Sequence, residues 1–462
     1  MTNLSSQPLS PLDGRYRAAV SDLGLYLSEA GLNRARIAVE VEWLLHLANR
    51  DLLGNGAPLT DAEITKLRSV VENFSDDDVA ELAKTEATTK HDVKAVEYFI
   101  RARLSEIKRD DLLELTHFAC TSEDINNLSY AITVRDSIQK VWLPKVEGLL
   151  TKLRELAKKY QDVAMLSRTH GQPATPTTMG KELAVFIYRL ERQVERIKSQ
   201  QYLGKFSGAT GTFSAHLVAA PNVDWLAESQ EFVTGLGLTH NPLTTQIESH
   251  DWQAELYSAV ALFNRILHNL CTDIWTYISL NYFKQIPQPG ATGSSTMPHK
   301  VNPIRFENAE SNLELSNAIL ESLAATLVTS RMQRDLTDSS SQRNIGLGLG
   351  HSMLALDNVT RGLGEIELSE AVLTGDLLEN WEVLGEAIQT VIRAEVAAGR
   401  SDISNPYELL KELTRGKRIG GEDLITFVNG LNIGDEAKQR LLALKPQTYV
   451  GIASELAKIA LK

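Results

Sequence analysis

Residues 256–278 read LYSAVALFNRILHNLCTDIWTYI. Apolar residues recur in this stretch at spacings of three and four, which places them on one face of an α-helix. They are Leu256, Val260, Phe263, Leu267, Leu270, Ile274 and Ile278. Further apolar residues occupy the other faces, so the helix needs neighbours on several sides. The stretch therefore predicts a long helix at the centre of a bundle.

The same helical spacing appears in two other stretches. Their apolar residues are Met179, Leu183, Phe186, Leu190, Val194 and Ile197 in the first, and Leu315, Ile319, Leu323 and Leu327 in the second. No proline lies between Pro303 and Pro406, so long helices can form throughout that interval. Alternating strand patterns are sparse, and no Asn-Gly or Asp-Gly turn joins two of them. We predict a mostly α fold.

Composition argues against several classes of protein. The chain has 462 residues and a formal net charge of -12, whereas general nucleic-acid and anionic-membrane binders usually present a basic face. No apolar run is long enough for a membrane span, and the N-terminal residues do not form a signal peptide. We expect a cytoplasmic protein that binds neither nucleic acid nor membranes. Cys120 and Cys271 lie far apart, so we predict no disulfide framework and no metal site.

Residues 293–303 read GSSTMPHKVNP and lie between two of the helical stretches. Glycine, serine and proline commonly mark turns, so residue types alone fit a plain interhelical connection as well as a loop that closes over a site. The order of the residues favours the second interpretation. The segment resembles the Gly-Ser-Ser-x-x-Pro-x-Lys-x-Asn signature of the fumarase/aspartase superfamily, and it matches every fixed position.

Other motifs of the same superfamily occur along the chain. They are KHD at residues 90–92, HFACTSED at 117–124 and SRTHGQPATP at 167–176. Two further segments resemble the adenylosuccinate lyase family within that superfamily: DGRY at 13–16, and RDLTDS at 334–339 followed by Arg343. Lys90 stands where some relatives carry Asn or Arg, so its contacts with a phosphate could differ from theirs.

The resemblance implies a three-domain, fumarase/aspartase-like fold with a central long-helix bundle. We expect an N-terminal helical domain at residues 1–111, the bundle domain with the signature loop at 112–364, and a C-terminal helical domain at 365–462. It also implies a homotetramer whose active sites combine motifs from three subunits.

The activity that the resemblance implies is that of a carbon–nitrogen lyase in purine biosynthesis. Such an enzyme eliminates fumarate from adenylosuccinate to give AMP, and from the succinylated carboxamide ribotide SAICAR to give AICAR. No cofactor is implied. The reaction needs a base for a carbon-bound proton, stabilisation of the resulting carbanion, and an acid for the departing nitrogen.

The motif positions imply a residue for each of these tasks. Ser294 resembles the catalytic base, which must be activated because an ordinary serine hydroxyl is too weak; Lys300 and backbone N–H groups of the loop could stabilise its alkoxide. His170 resembles the general acid, with Glu307 as its partner. His117 is a second candidate for the acid, or it orients the substrate. Without the motifs, a lone histidine or serine would be read as an ordinary surface or loop residue.

The remaining candidates bind the substrate. They are Arg15, Tyr16, Lys90, His91, Asp92, Thr121, Ser122, Gln246, Ser295, Asn302, Asn308, Arg334, Ser339 and Arg343. Arginine suits a phosphate because its planar fork donates two charge-assisted hydrogen bonds. Thr121 and Ser122 precede a helical pattern, so they could cap that helix, bind a substrate carboxylate at its N-terminus, or do both.

Two other functions remain open from the sequence. Aspartase, fumarase, argininosuccinate lyase and carboxymuconate cycloisomerase use similar loops, so the signature alone does not identify the substrate. A noncatalytic helical interaction protein could retain the same bundle without activity, because a fold does not dictate a function. A metal hydrolase or a serine hydrolase is disfavoured, since the chain has neither a His-Glu-x-x-His nor a Gly-x-Ser-x-Gly motif.

Overall fold

The computed structural model describes residues 8–54, 56, 58–287, 290, 297, 300–414 and 419–462, with side chains for all of these except 412–414. In chain order its α-helices are α1 (Arg17–Leu27), α2 (Glu29–Asn49), α3 (Asp61–Glu72), α4 (Asp76–Thr89), α5 (Asp92–Glu106), α6 (Ser122–Ser137), α7 (Leu143–Lys159), α8 (Met179–Lys198), α9 (Ser214–Ala219), α10 (Trp225–Gly235), α11 (Asp251–Ser279), α12 (Ile304–Leu327), α13 (Thr337–Gln342), α14 (Ile345–Gly364), α15 (Glu370–Leu378), α16 (Gly385–Ala397), α17 (Pro406–Thr414), α18 (Gly421–Gly430), α19 (Asp435–Leu442) and α20 (Ala453–Ala457).

Shorter elements complete the chain. A π-helical turn, Ile138–Trp142, joins α6 to α7, and 3-10 helices lie at Asp110–Leu115, Trp381–Leu384, Pro446–Thr448 and Lys458–Ala460. The strands form three two-stranded pairs: β1 (Ala164–Thr169) with β2 (Gln172–Thr178), β3 (Leu203–Gly204) with β4 (Thr239–His240), and β5 (Phe283–Gln285) with β6 (Ile366–Leu368). The β3–β4 pair is parallel and the other two are antiparallel.

The prediction of a mostly α fold is confirmed. The apolar stretch 256–278 lies within α11, and the other two periodic stretches lie within α8 and α12. The predicted face of α8 is buried throughout, and that of α11 is buried except for the half-buried Ile278; Leu256, Phe263 and Leu270 are almost wholly shielded from solvent. The predicted face of α12 is only partly right, because Leu323 and Leu327 are buried whereas Leu315 is 48% exposed and Ile319 is half-buried.

The chain divides into two compact units. The first contains residues 1–146, 193–265 and 311–357, and the second contains residues 147–192, 266–310 and 358–462. The three predicted domains follow other boundaries and remain a prediction.

An aromatic cluster forms part of the core of the first unit. The Trp43 ring of α2 lies 4.3 Å from that of Phe206 and 5.0 Å from that of Phe232, between centroids. In α14 of the same unit, a Cβ on Gly348 would lie 2.9 Å from Leu320. The absence of a side chain at Gly348 therefore lets α14 approach α12 closely.

The second unit has a core of its own around α16, α18 and α19. Its buried members are Leu384, Ile388, Ile392, Leu410, Ile419, Leu424, Val428, Leu431, Ile433, Ala437 and Leu441. The antiparallel hairpin β1–β2 also belongs to this unit. The sequence pattern did not predict this hairpin, because its turn residues, His170 and Gly171, are not a usual hairpin dipeptide.

Candidate active site

Two arginines from distant parts of the chain meet at the N-terminus of α5. Arg36 of α2 and Arg343, which follows α13, both lie close to Oδ2 of Asp92, at 2.8 and 3.0 Å. Burial raises the pKa of Asp92, but the two guanidinium groups and a backbone N–H lower it by more, so the net pKa lies below its ordinary value. Asp92 therefore holds both arginines as a carboxylate near neutral pH.

Lys90 and His91 precede this ion-pair cluster. Lys90 ends α4 in the left-handed conformation, with φ +56°, and its side chain is exposed. His91 caps α5, because its Nδ1 accepts a hydrogen bond of 3.2 Å from the backbone N–H of Lys94. The rest of the His91 ring is largely exposed, so a ligand could reach its Nε2.

The N-terminus of α6 is held by a buried carboxylate. Thr121 is the N-cap residue and Ser122 is the first residue of the helix, as the capping interpretation predicted. Asp124 is fully buried and accepts hydrogen bonds from the backbone N–H groups of Thr121, at 2.8 Å, and Ser207, at 2.9 Å. Lys205 Nζ, also fully buried, lies 2.8 Å from Asp124. These contacts hold Thr121 and Ser122 at a helix end suited to an anion.

Arg334 lies beside the same helix end. Its Nη2 is 2.9 Å from Oε1 of Glu123, and its Nη1 donates a longer hydrogen bond of 3.4 Å to Gln246. Gln246 in turn donates from Nε2 to the carbonyl oxygen of Ala209, at 2.9 Å. Burial raises the pKa of Glu123, with Arg334 opposing it. Two predicted substrate residues, Arg334 and Gln246, are thus in contact.

One continuous chain of contacts connects these groups. Arg36 donates from Nε to Oδ1 of Asn126, and Asn126 donates from Nδ2 to Glu123, both at 2.9 Å. We call the set Arg343, Asp92, Arg36, Asn126, Glu123 and Arg334 the polar network. It joins three of the predicted binding residues, Asp92, Arg334 and Arg343, through others that were not predicted.

His117 lies just before α6 and pairs with a residue of α2. Its Nδ1 is 2.5 Å from Oε1 of Glu40, and its backbone N–H donates to Oε2 of the same carboxylate at 3.2 Å. Burial lowers the pKa of His117, but Glu40, with weaker contributions from Glu97 and Asp124, raises it by more, so the net pKa lies above its ordinary value. This charge pair favours an imidazolium at neutral pH.

The other candidates of the first unit lie at its N-terminal turn and on α13. The guanidinium of Arg15 is 5.7 Å from the ring centroid of Tyr16, and Arg15 is exposed. The backbone N–H of Ser339 donates to Oδ1 of Asp338 at 2.7 Å, and Ser339 is half-buried.

In the second unit, His170 occupies the tip of the β1–β2 hairpin. Strand pairing ends at Thr169 and Gln172, so His170 and Gly171 alone form the turn. Their φ angles, +52° and +74°, are those that a type I′ turn requires. Left-handed backbone is uncommon outside glycine, although histidine is among the residues that tolerate it. The turn leaves the His170 side chain exposed.

The candidates around the signature loop also belong to the second unit. Ser294 and Ser295 lie outside the described residues. Lys300 is exposed and Asn302 is half-buried. Asn308 accepts a hydrogen bond of 2.9 Å from Asn358.

Glu307, the proposed partner of His170, accepts a hydrogen bond of 3.1 Å from the indole N–H of Trp275. Within the described part of this single chain, no contact joins Glu307 to His170. Their pairing stays a prediction.

The residues missed by sequence reasoning share one property. Arg36, Glu40, Asn126 and Lys205 are polar or charged, yet they are buried inside the first unit. Buried charges must be paired, so a charged residue at a core position of an apolar helix could have marked them. Glu40 is such a case, because it stands between Ile37, Val39 and Val41 in a strongly apolar stretch of α2.

Two features of the described residues bear on other functions. Among the described residues, no group of three or more His, Cys, Asp or Glu side chains is arranged to hold a metal ion. Over the same part of the chain, no helix has both the length and the apolar character to cross a membrane.

Comparison with known families covers nearly the whole chain. The Lyase family model matches residues 14–315, and the adenylosuccinate lyase C-terminal model matches residues 330–450. The adenylosuccinate lyase of Escherichia coli (strain K12) is 49% identical over 446 residues, which are 96% of each chain. That of Haemophilus influenzae is 48% identical over 451 residues, covering 97% of this chain and 98% of the relative.

Solved structures of lower identity share the fold. A 3-carboxy-cis,cis-muconate lactonizing enzyme from Pseudomonas putida aligns with a TM-score of 0.72 at 19% identity, over 96% of this chain and 98% of its own. A fumarate lyase from Mesorhizobium sp. BNC1 aligns with a TM-score of 0.73 at 18% identity, over 96% and 97%. At full-length identities near one half, the curated relatives decide the family: this chain belongs to the adenylosuccinate lyases of the fumarase/aspartase superfamily.

Proposed function

We propose that the chain cleaves adenylosuccinate into AMP and fumarate, and SAICAR into AICAR and fumarate. Family membership supports the reaction. The observation that carries the proposal is the polar network of the first unit, which places Arg334 beside the Thr121–Ser122 helix end and ties Arg343 to Asp92. Such a surface can bind a doubly anionic succinyl group and a phosphate through arginine and helix N–H groups.

The proposed chemistry is a β-elimination without a cofactor. Ser294, as the base, removes a proton from the carbon next to a carboxylate of the succinyl group. The resulting electron pair forms the double bond of fumarate, and the carbon–nitrogen bond breaks. The leaving nitrogen takes a proton from His170, which Glu307 of another subunit would help to charge. Lys300 stabilises negative charge on the serine oxygen and the carbanion.

The substrate-binding residues divide by chemistry. We assign Thr121, Ser122 and Ser295 to the succinyl carboxylates, because hydroxyl and helix N–H groups donate to such oxygens. We assign the nucleotide part of the substrate to a larger set. Its members are Arg15, Tyr16, Lys90, His91, Asp92, Arg334, Ser339 and Arg343. Gln246, Asn302 and Asn308 supply amide contacts, and His117 orients an anionic group.

The assembly and location follow from the same proposal. The candidates occur in both compact units, and no contact within the described part of one chain links His170 to its proposed partner. A cytoplasmic homotetramer that shares residues among three subunits would bring the motifs together, with domains at 1–111, 112–364 and 365–462.

The decisive experiment follows adenylosuccinate cleavage by ultraviolet absorbance. The purified chain should release AMP and fumarate in equal amounts. Ser294→Ala and His170→Gln should each lower kcat by roughly 100-fold or more, as expected for loss of a proton-transfer group. His268→Gln, on α11, serves as the matched histidine control and should retain activity.

Two outcomes would overturn the proposal. A correctly assembled protein that does not cleave adenylosuccinate would favour a noncatalytic role. Release of fumarate from argininosuccinate or aspartate in preference to adenylosuccinate would indicate another lyase of the superfamily.

A further inference from the structure

Helix α2 carries a buried polar stripe that no catalytic motif includes. Arg36, Glu40 and Trp43 occur at spacings of four and three, so they lie on one helix face. Each is at most 2% exposed. A helix of the core normally presents apolar residues on such a face, so polar groups there require specific partners.

Every residue of this stripe bonds to a segment that carries the predicted site. Arg36 pairs with Asp92, at 2.8 Å, and Trp43 donates from its indole N–H to the carbonyl oxygen of Phe118, at 3.1 Å. Glu40 lies between them and bonds to His117. Helix α2 thus holds both the KHD motif at residues 90–92 and the segment that leads into Thr121.

Glu40 makes the most specific of these contacts. Both of its carboxylate oxygens bond to His117, one to ring Nδ1 at 2.5 Å and the other to the backbone N–H at 3.2 Å. His117 has φ +58°, so the carboxylate holds the ring and also a left-handed turn of the backbone. Because Nδ1 is engaged, Nε2 is the ring nitrogen that a ligand can use.

The charge of the pair follows from burial. The Glu40 side chain is completely buried, and an ionised carboxylate in that position needs a cationic partner. His117 supplies that partner when both ring nitrogens are protonated, and its Nε2–H then becomes a charged donor. We propose that Glu40 is a positioning residue that holds His117 as a cationic Nε2–H donor to an anionic group of the substrate.

This inference rests on the proposed function for the identity of the substrate, but not for the contact itself. The other charged groups acting on His117 are Glu97 of α5 and Asp124 of α6. Asp124 is already neutralised by Lys205 at 2.8 Å, and Glu97 by Lys94 at 2.7 Å. Glu40 is therefore the carboxylate whose removal should change His117 most.

The test is the pH dependence of kcat and KM for adenylosuccinate in Glu40→Gln. Glutamine keeps the shape of the contact but removes its charge, so His117 should lose its proton at a lower pH. The alkaline limb of kcat/KM should move down by roughly one pH unit, a shift typical of a close opposite charge. At pH values above this limb, His117 of the variant has lost its proton, and KM should be roughly 10-fold higher than in the wild type.

Control variants separate positioning from folding. Trp43→Phe removes the neighbouring hydrogen bond of the same stripe and should leave the alkaline limb in place, and Glu40→Asp, which keeps the charge, should restore most of the wild-type profile. In a double-mutant cycle, Glu40→Gln should have little further effect in a His117→Gln background. Should Glu40→Gln not assemble, the cycle can be run with Glu40→Met, which also removes the charge and fills a similar volume with an apolar side chain.

The outcomes distinguish this inference from the proposed function. An inactive wild-type protein contradicts the function without bearing on the Glu40–His117 contact. An active wild-type protein whose pH profile is unchanged by Glu40→Gln, or additive effects of the two substitutions in the cycle, would overturn the role of Glu40.

Discussion

Arg343 and Asp92 form an ion pair of 3.0 Å although 251 residues separate them in the chain. The same Asp92 oxygen also holds Arg36 at 2.8 Å. One carboxylate thus organises two guanidinium groups, which fixes their positions before a ligand arrives. Preorganised donors of this kind raise affinity because less side-chain freedom is lost on binding.

Arg343→Gln should weaken substrate binding more than folding. Loss of a charge-assisted hydrogen bond to the substrate costs about 1.5–3 kcal/mol, so KM for adenylosuccinate should rise by roughly 10- to 100-fold. The ion pairs of Arg343 with Glu29 and Asp92 are partly exposed, so Tm should change little. Steady-state kinetics and thermal unfolding measure the two effects. Arg440→Gln, in an exposed pair with Glu436, is the matched control; equal KM values in both variants would contradict the role of Arg343.

Lys205→Met should destabilise the protein strongly. It would leave Asp124 buried without its cation, and breaking a buried pair in this way costs about 3–5 kcal/mol. The midpoint of urea unfolding should fall accordingly. Lys140→Met removes an equally short contact, 2.8 Å to Asp136, from an exposed lysine and should have little effect. Similar midpoints for the two variants would show that burial of the Lys205–Asp124 pair does not increase its contribution to stability.

His216→Phe should reduce the loss of stability in mild acid. His216 is buried with its ring edge-on to Trp225, and neither ring nitrogen has a hydrogen-bond partner among the described residues. Burial lowers its pKa below the ordinary value, with Lys205 adding to this and Asp124 opposing it. The unfolded chain therefore binds the proton more readily, and stability falls as pH drops through about 6.5.

Phenylalanine cannot take up that proton. The Tm of His216→Phe should consequently decrease less than that of the wild type between pH 7.5 and pH 5, as measured by differential scanning calorimetry. Parallel decreases in the two proteins would rule out His216 as a source of the acid sensitivity.

Mixed subunits should restore activity if the sites are shared. The His170→Ala and Ser294→Ala proteins are each expected to be inactive. After unfolding and refolding together, mixed assemblies should regain measurable cleavage of adenylosuccinate, because some shared sites would then combine intact motifs from different subunits. Each variant refolded alone is the control. Co-assembly without any recovery would contradict shared active sites.

The sequence predicted the three long helical stretches and the N-cap position of Thr121 correctly, because both depend on local spacing. It did not predict the His170–Gly171 turn, because their left-handed conformation is decided by strand pairing in the hairpin. It also missed Glu40 and Lys205, since neither belongs to a motif and their importance appears only when their partners are known.

The sequence by itself determined the long helices and the chemical types in each motif, because a 3.6-residue period and an ordered run of side chains are local properties. Tertiary structure alone decided that Arg343 meets Asp92, that Glu40 meets His117, and that Lys205 neutralises Asp124. Such pairs join residues far apart in the chain. Their formation depends on how the helices pack, and no local spacing encodes it.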